Sequence, residues 1–336
     1  MAKLRGSLWA LGFVVFALFP LVVTNPTFTT IAVFTLIFMA CTTSWNMFSG
    51  YSGYVSLGHG IYYGVGAYAM ALLSNHLHMA GGAAMFWLVP VGGLIAMAFA
   101  VPVGAVALRV RRHTFVVITI AVFFVFQLSA INFSFTGGPA GTQLALIPWG
   151  ANYFNLPFYY VELAILTFAT VLSAMVRRSR FGLQLLAIRD DEDRALGLGV
   201  KVAAVKLTGY TMSAFVVGMS GALYAMFMGQ IYPQFVFDPV FDVTVALMAF
   251  FGGFGTLLGP LLGGLILESM QQYLTLTFSN GSLYLILFGV LFLLVVLFMP
   301  QGIVIKVRDL WMKRSAHSSP PPLVVESAPV PVGGRR

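Results

Sequence analysis

Charge is scarce in this chain. Of its 336 residues, 8% are Asp, Glu, Lys or Arg and 59% are hydrophobic, whereas an ordinary soluble domain carries about 25% charged residues. Too few polar side chains exist to cover a core in water, so the bilayer must supply part of the solvent. Cysteine is nearly absent. The single thiol, Cys41, lies in an apolar run, which excludes an internal disulfide or a cysteine metal cluster and leaves a small buried apolar residue. The five histidines show no HExxH-like spacing, so a zinc-peptidase ligand set is missing. The glycine-rich stretch GGFGTLLGPLLGG contains no lysine, and a phosphate loop needs Gly-Lys-Ser/Thr. The net charge of +8 is not arranged as a long basic face, which excludes nucleic acid as a partner. Lys3 and Arg5 followed by an apolar stretch imitate a signal peptide, but no small-x-small cleavage site follows, and the segment reads as a retained first helix.

What is present is a series of apolar runs. They fall at about 8–24, 28–48, 54–74, 84–108, 114–131, 158–176, 204–228, 240–257, 259–277 and 283–304, each near the length of about 20 residues that spans a bilayer. The fold class expected is therefore all-α: a polytopic integral membrane protein of about ten helices, some interrupted by glycine, with lipid as a partner. The basic residues test this count. Lys3 and Arg5 precede the first run, and Arg109, Arg111 and Arg112 separate the fourth from the fifth. Arg177, Arg178, Arg180, Arg189, Arg194 and Lys201 separate the sixth from the seventh, and Lys306, Arg308, Lys313 and Arg314 follow the tenth. With ten helices all four clusters share one side, and the positive-inside rule makes both termini cytoplasmic. The linkers of the other side hold no Lys or Arg. They carry Asn75, His76 and His78, and a long turn-rich connection whose Trp149, Tyr153, Tyr159 and Tyr160 suit an interfacial aromatic belt. Residues 1–305 thus form a transmembrane domain that includes a cytoplasmic segment at 177–203. Residues 306–336 form a cytoplasmic tail rich in Pro and Ser, which reads as disordered.

Three segments carry candidate chemistry. The first is SGYSGYVSLGHGIYYGVG at 49–66. It places Ser49, Ser52, Ser56 and His59 among six glycines. A helix broken there frees backbone groups, which is tolerable only beside protein or a watery cavity and suits a polar solute; tight packing through small residues is the competing reading. Ser52, Ser56, Gly58, His59 and Gly60 are the candidate pathway residues. The second is RRSRFGLQLLAIRDDEDRALGLGVKV, with four of the ten acids of the chain, Asp190 to Asp193. Phe181, Leu185, Leu186 and Ile188 give it a short amphipathic stretch, and Arg189 and Asp193 stand four apart, as a helical ion pair would. Gly197 and Gly199 are natural stops. This is more than a turn requires, and the pattern suits docking of a soluble partner. The third is GGFGTLLGPLLGG at 252–264, where Pro260 and the glycines allow a hinge, a broken helix or a tight turn. Its start, GFGTLLGP, weakly echoes GYVSLGHG at 53–60.

Acids inside apolar runs are costly and therefore suspects for function. Glu162 lies near a helix end, Asp238 at an outer rim, and Asp242 begins the eighth run, where it suits the helix dipole. Glu268 is deeper and joins the candidate pathway residues. No regular Asp/Glu chain appears, so a proton relay is not indicated.

These segments, in this order, resemble the LivM-type permeases of branched-chain amino-acid ABC importers. The resemblance rests on SGYVSLGHGIYYGVGAYAMALL, RVRRHTFVVITIAVFFVFQL with TGGPAGTQ, SRFGLQLLAIRDDEDRALGLGVKVAAVKLTGYTMSAFVVGMSGALYA and GGFGTLLGPLLGG. It implies a non-enzymatic subunit of the bacterial plasma (inner) membrane that pairs with a second, similar permease. It also implies a substrate-binding protein outside and two cytosolic ATPases, which hold the ATP and Mg; no cofactor falls on this chain. AIRDDEDRALGLG would be the segment coupled to the ATPase, with Arg189, Asp190, Glu192 and Arg194 as the contacts. Two departures stand out. Arg112-His113-Thr114-Phe115 occupies the place where the family usually has glycine and an aromatic, and Asp242 the place of a serine. Permeases of this kind carry branched-chain amino acids, and related ones carry urea, short amides or other amino acids. A self-sufficient channel or secondary transporter is the competing class, and the docking linker argues against it.

Overall fold

The computed structural model describes residues 2–277 except 146, and beyond them residues 286, 289, 290, 293, 302–304 and 306; of residues 2–11, 151 and 152 only the backbone is described. The order of helices is α1 (Ala2–Val22), α2 (Pro26–Ser52), α3 (His59–His76), α4 (Leu88–Ala107), α5 (Arg112–Asn132), α6 (Ala151–Arg178), α7 (Arg180–Asp190), α8 (Glu192–Gly197), α9 (Val202–Met228), α10 (Pro233–Val236), α11 (Pro239–Gly253) and α12 (Gly259–Thr277). One two-residue antiparallel ladder, β1 (Thr142–Gln143) with β2 (Gln230–Ile231), joins two loops.

The element types follow from the sequence. α2 starts where Asn25 accepts a hydrogen bond from the Thr27 N–H at 3.0 Å and Pro26 takes the first helical position, where its missing N–H costs nothing. It ends at Gly53 in the left-handed region, φ 73°. Pro20 inside α1 removes the donor that the Phe16 carbonyl would use. Tyr159 of α6 fills that vacancy, its hydroxyl donating to Phe16 O at 2.6 Å, and Tyr160 donates to Ala17 O at 3.1 Å. A proline defect in one helix thereby becomes the joint to another.

α2 and α9 form the centre, and α3, α4, α6, α11 and α12 pack around them. Water cannot drive association between helices in lipid, so close backbone approach must. A Cβ on Gly66 of α3 would strike the Gly218 carbonyl of α9. One on Gly221 would strike the Tyr63 carbonyl, and one on Gly218 the Ala96 side chain of α4. α11 and α12 pair the same way, through Gly252 against Gly259 and Gly263 against Met248. α5 packs on the body along one face only. Phe115, Thr119 and Phe123 are buried, while Val117, Val125 and Leu128 are exposed.

The chain is an all-α, multi-pass membrane protein. Among the described residues six helical stretches are long and apolar enough to cross a bilayer: 26–52, 83–107, 112–132, 153–178, 202–228 and 233–253. The first expected run appears there only as the shorter apolar stretch Gly12–Val22. The third and ninth runs are the helices α3 and α12, whose His, Asn and Gln residues dilute their hydropathy. The tenth, 283–304, and the tail, 306–336, lie almost wholly outside the described residues. Two boundaries differ from expectation. α2 continues to Ser52, and α3 does not begin until His59, because 53–58 is irregular rather than helical. The 252–264 segment is the tight turn among its three readings: α11 stops at Gly253 (φ 132°), Gly255 turns at φ 75°, and α12 opens with Pro260 in its first turn.

Candidate functional site

Residues 53–58 fold back along the last two turns of α2, and polar groups of this irregular stretch find partners within the protein. Trp45 Nε1 donates to Ser56 O at 2.8 Å, the Ser56 N–H to Ser49 Oγ at 3.4 Å, and the Leu57 N–H to Thr119 Oγ1 of α5 at 3.1 Å. The Tyr54 and Gly58 N–H groups donate to the Ser52 and Ser56 hydroxyls. Irregular backbone at membrane depth survives only where protein satisfies it, which explains the density of serine in this stretch. The Ser56 hydroxyl has a counterpart in the second turn, where Thr256 Oγ1 accepts the Gly259 N–H at 3.0 Å at the start of α12. The weak sequence echo therefore corresponds to a hydroxyl just before each helix, Ser56 reaching the Gly58 N–H two residues on and Thr256 the Gly259 N–H three residues on.

The fold-back puts the N-terminus of α3 deep in the bundle. His59 Nε2 meets Ser213 Oγ of α9 at 2.9 Å, and the Gly60 N–H donates to both oxygens of Asp242 on α11, at 3.0 and 3.2 Å. Counted from Val202 to Ser213 along α9, or from Asp242 to Gly253 along α11, that position lies about 16 Å from the Val202 end of α9 and the Gly253 end of α11 at 1.5 Å per residue. Ser213 and Ser44 exchange hydroxyl-to-carbonyl bonds at 2.8 and 2.9 Å beside it. The hydroxyls of Tyr62 and Tyr210 and Nδ1 of His59 are buried there without a hydrogen-bond partner. The result is a buried cluster of polar side chains amid apolar helices.

The charged segment of α7 and α8 is fastened to this break from several sides. Arg189 of α7 donates to the Gly50 carbonyl at 2.7 Å, and its guanidinium lies 5.2 Å from the Phe254 ring centre. Asn46 grips the same turn, accepting the Gly255 N–H at 2.7 Å and donating to Thr256 O at 2.9 Å. Glu192 of α8 pairs with Lys206 of α9 at 2.8 Å and accepts a short hydrogen bond from the Tyr54 hydroxyl. Lys206 also donates to Tyr54 at 3.1 Å and sits over its ring. Partial burial raises the Glu192 carboxyl, but hydrogen bonds from Lys206 and Tyr54, with the nearby charges of Lys206 and Arg112, outweigh it and hold the group below the ordinary 4.5. Arg112 of α5 closes the ring, donating to the Ile188 and Arg189 carbonyls at 2.7 and 2.6 Å, where a cation suits the end of α7.

A family model described as branched-chain amino acid transport system / permease component matches residues 27–296. The chain belongs to this permease family. It is 27% identical over 303 residues to the high-affinity branched-chain amino acid transport system permease protein LivM of Escherichia coli (strain K12), covering 81% of this chain and 69% of that one. It is 26% identical over 274 residues to LivH of Salmonella typhimurium (strain LT2), covering 77% and 88%. Over 162 residues it is 26% identical to the ribose import permease protein RbsC of Bacillus subtilis (strain 168), covering 47% and 50%. No solved structure matches.

In this permease the residues singled out from the sequence divide sharply. Ser52, Ser56, Gly58, His59 and Gly60 come together at the fold-back, all buried. Glu268 does not join them by any hydrogen bond. It is buried on α12 and accepts from Gln272 Nε2 at 2.7 Å. Glu162 is buried on α6 and accepts from Ser220 of α9 at 2.8 Å. Arg189 and Glu192 turn inward, while Asp190 and Arg194 are exposed. The expected Arg189–Asp193 pair does not form. Asp191 caps α8, its side chain accepting the Arg194 N–H at 3.0 Å, so α7 and α8 are separate helices and the four-residue register is broken. Asp193 pairs with Arg111 instead, at 3.1 Å. Asp242 does not serve its own helix: Asp238 caps α11 and Asp242 reaches α3. Sequence reasoning missed Asn46, Tyr54, Lys206 and Ser213. Lys206 and Asn46 carried a signal, as strongly polar side chains inside apolar runs.

Proposed function

We propose that this permease is the membrane-spanning subunit of an ATP-driven importer for branched-chain or related amino acids. The observation that carries this reading is the set of ties from α7 and α8 to the α2–α3 break. A segment that served only to connect α6 to α9 would need no bonds to α2, α5 and the α11–α12 turn. Through Arg189, Glu192 and Arg112, displacement of α7 and α8 pulls on the Gly50 carbonyl and the Tyr54 side chain, and so on the polar cluster at the start of α3.

In this reading residues 1–305 are the permease body, 177–203 the coupling segment, and 306–336 a cytoplasmic tail. Ten spans place both termini in the cytoplasm of a bacterium, and the inner membrane is the location. The exposed side of the segment, Leu183, Asp190, Arg194, Leu196 and Leu198, meets a cytosolic ATPase. ATP and Mg belong to two such ATPases. A second, homologous permease completes the pathway; LivM and LivH, both named for one transport system, are each similar to this chain. An extracytoplasmic binding protein delivers the solute. Ser52, Ser56, Gly58, His59 and Gly60 line the pathway once the fold-back opens, and Glu268 contributes from α12.

The test is uptake by the complex purified from its native membrane and reconstituted with ATP inside the vesicles' ATPase-facing compartment. Labelled leucine is expected to enter only with ATP. Uptake of ribose but not leucine would transfer the reading to a sugar permease, which the ribose-named relative motivates. Accumulation by this chain alone, driven by a proton or sodium gradient, would remove the ATP-driven reading altogether.

A further inference from the structure

Asp242, which replaces the serine expected at this position, has a more specific role than either helix dipole or pathway lining suggests. It lies in the first turn of α11 and is 1% exposed. Its own helix does not need it, because Asp238 accepts the Val240 N–H at 2.9 Å. Both Asp242 oxygens instead accept the Gly60 N–H in the first turn of α3, at 3.0 and 3.2 Å, across 182 residues of sequence. α3 has no cap of its own. Its N-cap is Gly58, and a Cβ there would lie 3.0 Å from Thr119 O and 3.2 Å from Thr119 Cβ of α5, so α5 crowds the place of a capping side chain. Gly60 is matched to the carboxylate in turn. A Cβ on it would lie 2.9 Å from Asp242 Oδ2 and 2.8 Å from Phe123 Cε2. Gly58, Gly60 and Asp242 are therefore one arrangement, in which a carboxylate from α11 stands in for the local cap that Gly58, crowded by α5, does not supply.

We propose that Asp242 is the positioning residue of the α2–α3 break, a built-in anion that fills the N-terminus of α3 and clamps α11 to it. A helix N-terminus in a dry interior favours an anion, and in transporters with broken helices such ends accept anionic groups of solutes. Here that place is taken by the protein's own carboxylate. A solute's carboxylate is accordingly recognised elsewhere, and the buried hydroxyls of Tyr62 and Tyr210 and Nδ1 of His59 offer neutral polar contacts beside the clamp. Only this consequence for transport rests on the pathway reading above; the clamp itself does not.

The test uses the full chain in lipid nanodiscs, read by its unfolding temperature, so it is independent of which solute is carried. Asp242→Ala is expected to unfold at a lower temperature, and sodium formate to reverse most of that loss. Acetate should reverse less, because alanine keeps Cβ and the vacated space is that of one carboxylate group. Formamide and sodium chloride should do nothing. Gly60→Ala should also be destabilised, but without a formate response, since its obstacle is bulk and not a missing anion. Asp242→Asn keeps the volume and so gives a folded comparison where the alanine variant is not recovered. Its single carbonyl acceptor and lost charge should place it below wild type. Equal response to formate, formamide and chloride, or an Asp242→Asn variant with the unfolding temperature of wild type, would overturn the proposal.

Discussion

Replacing Glu192 by Gln removes the anion that Lys206 pairs with, while keeping the side-chain size. The Lys206 side chain is 4% exposed and that of Glu192 is 22% exposed, so the lysine is left nearly dry and without its carboxylate. Breaking a fully buried pair costs about 3–5 kcal/mol. The Tyr54 hydroxyl still lies 3.1 Å from Nζ, and water reaches the side chain at position 192, so the expected loss is about 2–3 kcal/mol. Lys206→Met should cost less, because it buries no stranded charge and Glu192 can turn toward water. The double variant should be more stable than the two single losses add up to, by about 1–2 kcal/mol. The assay is denaturant unfolding of the purified chain in mild detergent, run as a double-mutant cycle. Acid gives a second reading. The folded-state Glu192 carboxyl lies below the ordinary 4.5, so its contribution is complete above that pH and is lost as pH falls through the lower folded value. The Glu192→Gln variant should lack this component. If Glu192 instead faced an ATPase, Glu192→Gln would leave the isolated chain as stable as wild type and weaken only association. That outcome, or an additive cycle, would refute the inward tie and the coupling argument built on it.

Tyr159→Phe should cost about 1 kcal/mol, because it strands the Phe16 carbonyl that Pro20 leaves free; adding Pro20→Ala restores a donor within α1 and should recover most of the loss in the same unfolding assay. Gly66→Ala should destabilise by about 1–3 kcal/mol or prevent recovery of folded protein, since its methyl meets the Gly218 backbone and not a movable side chain; the exposed Gly150, with open space around it, is the control and should tolerate alanine. Ser7, Ser179 and Ser315 changed singly to Cys should all react with impermeant thiol reagents from the cytoplasmic side only, and labelling of any one from outside would reverse the expected topology.

Much of the fold is legible in the sequence because partition between lipid and water depends on residue type, and residue type needs no partner. The spans at α2, α4, α5, α6, α9 and α11 are visible as apolar length, and the arginine clusters mark their ends. The break between α2 and α3 is also visible, since Gly53, Gly58 and Gly60 interrupt an apolar run and the serines beside them offer replacement hydrogen bonds. Its boundaries are not, because a helix stops where a competing partner exists, and Thr119 and Trp45 supply those partners from elsewhere. The same holds for charge. Composition shows that 189–194 is charged, yet it does not show that Arg189 and Glu192 turn in while Asp190 and Arg194 turn out. The spacing of Arg189 and Asp193 suggested a pair that the Asp191 cap prevents. Asp242 is the clearest case. Its position in the first turn of α11 predicts a role at the dipole of its own helix, yet its carboxyl group accepts the Gly60 N–H in the first turn of a different helix. Local sequence determines which groups need a partner, and only the packing of distant segments decides which partner each one reaches, because an unmet donor in a dry interior takes whatever acceptor the fold brings within 3 Å.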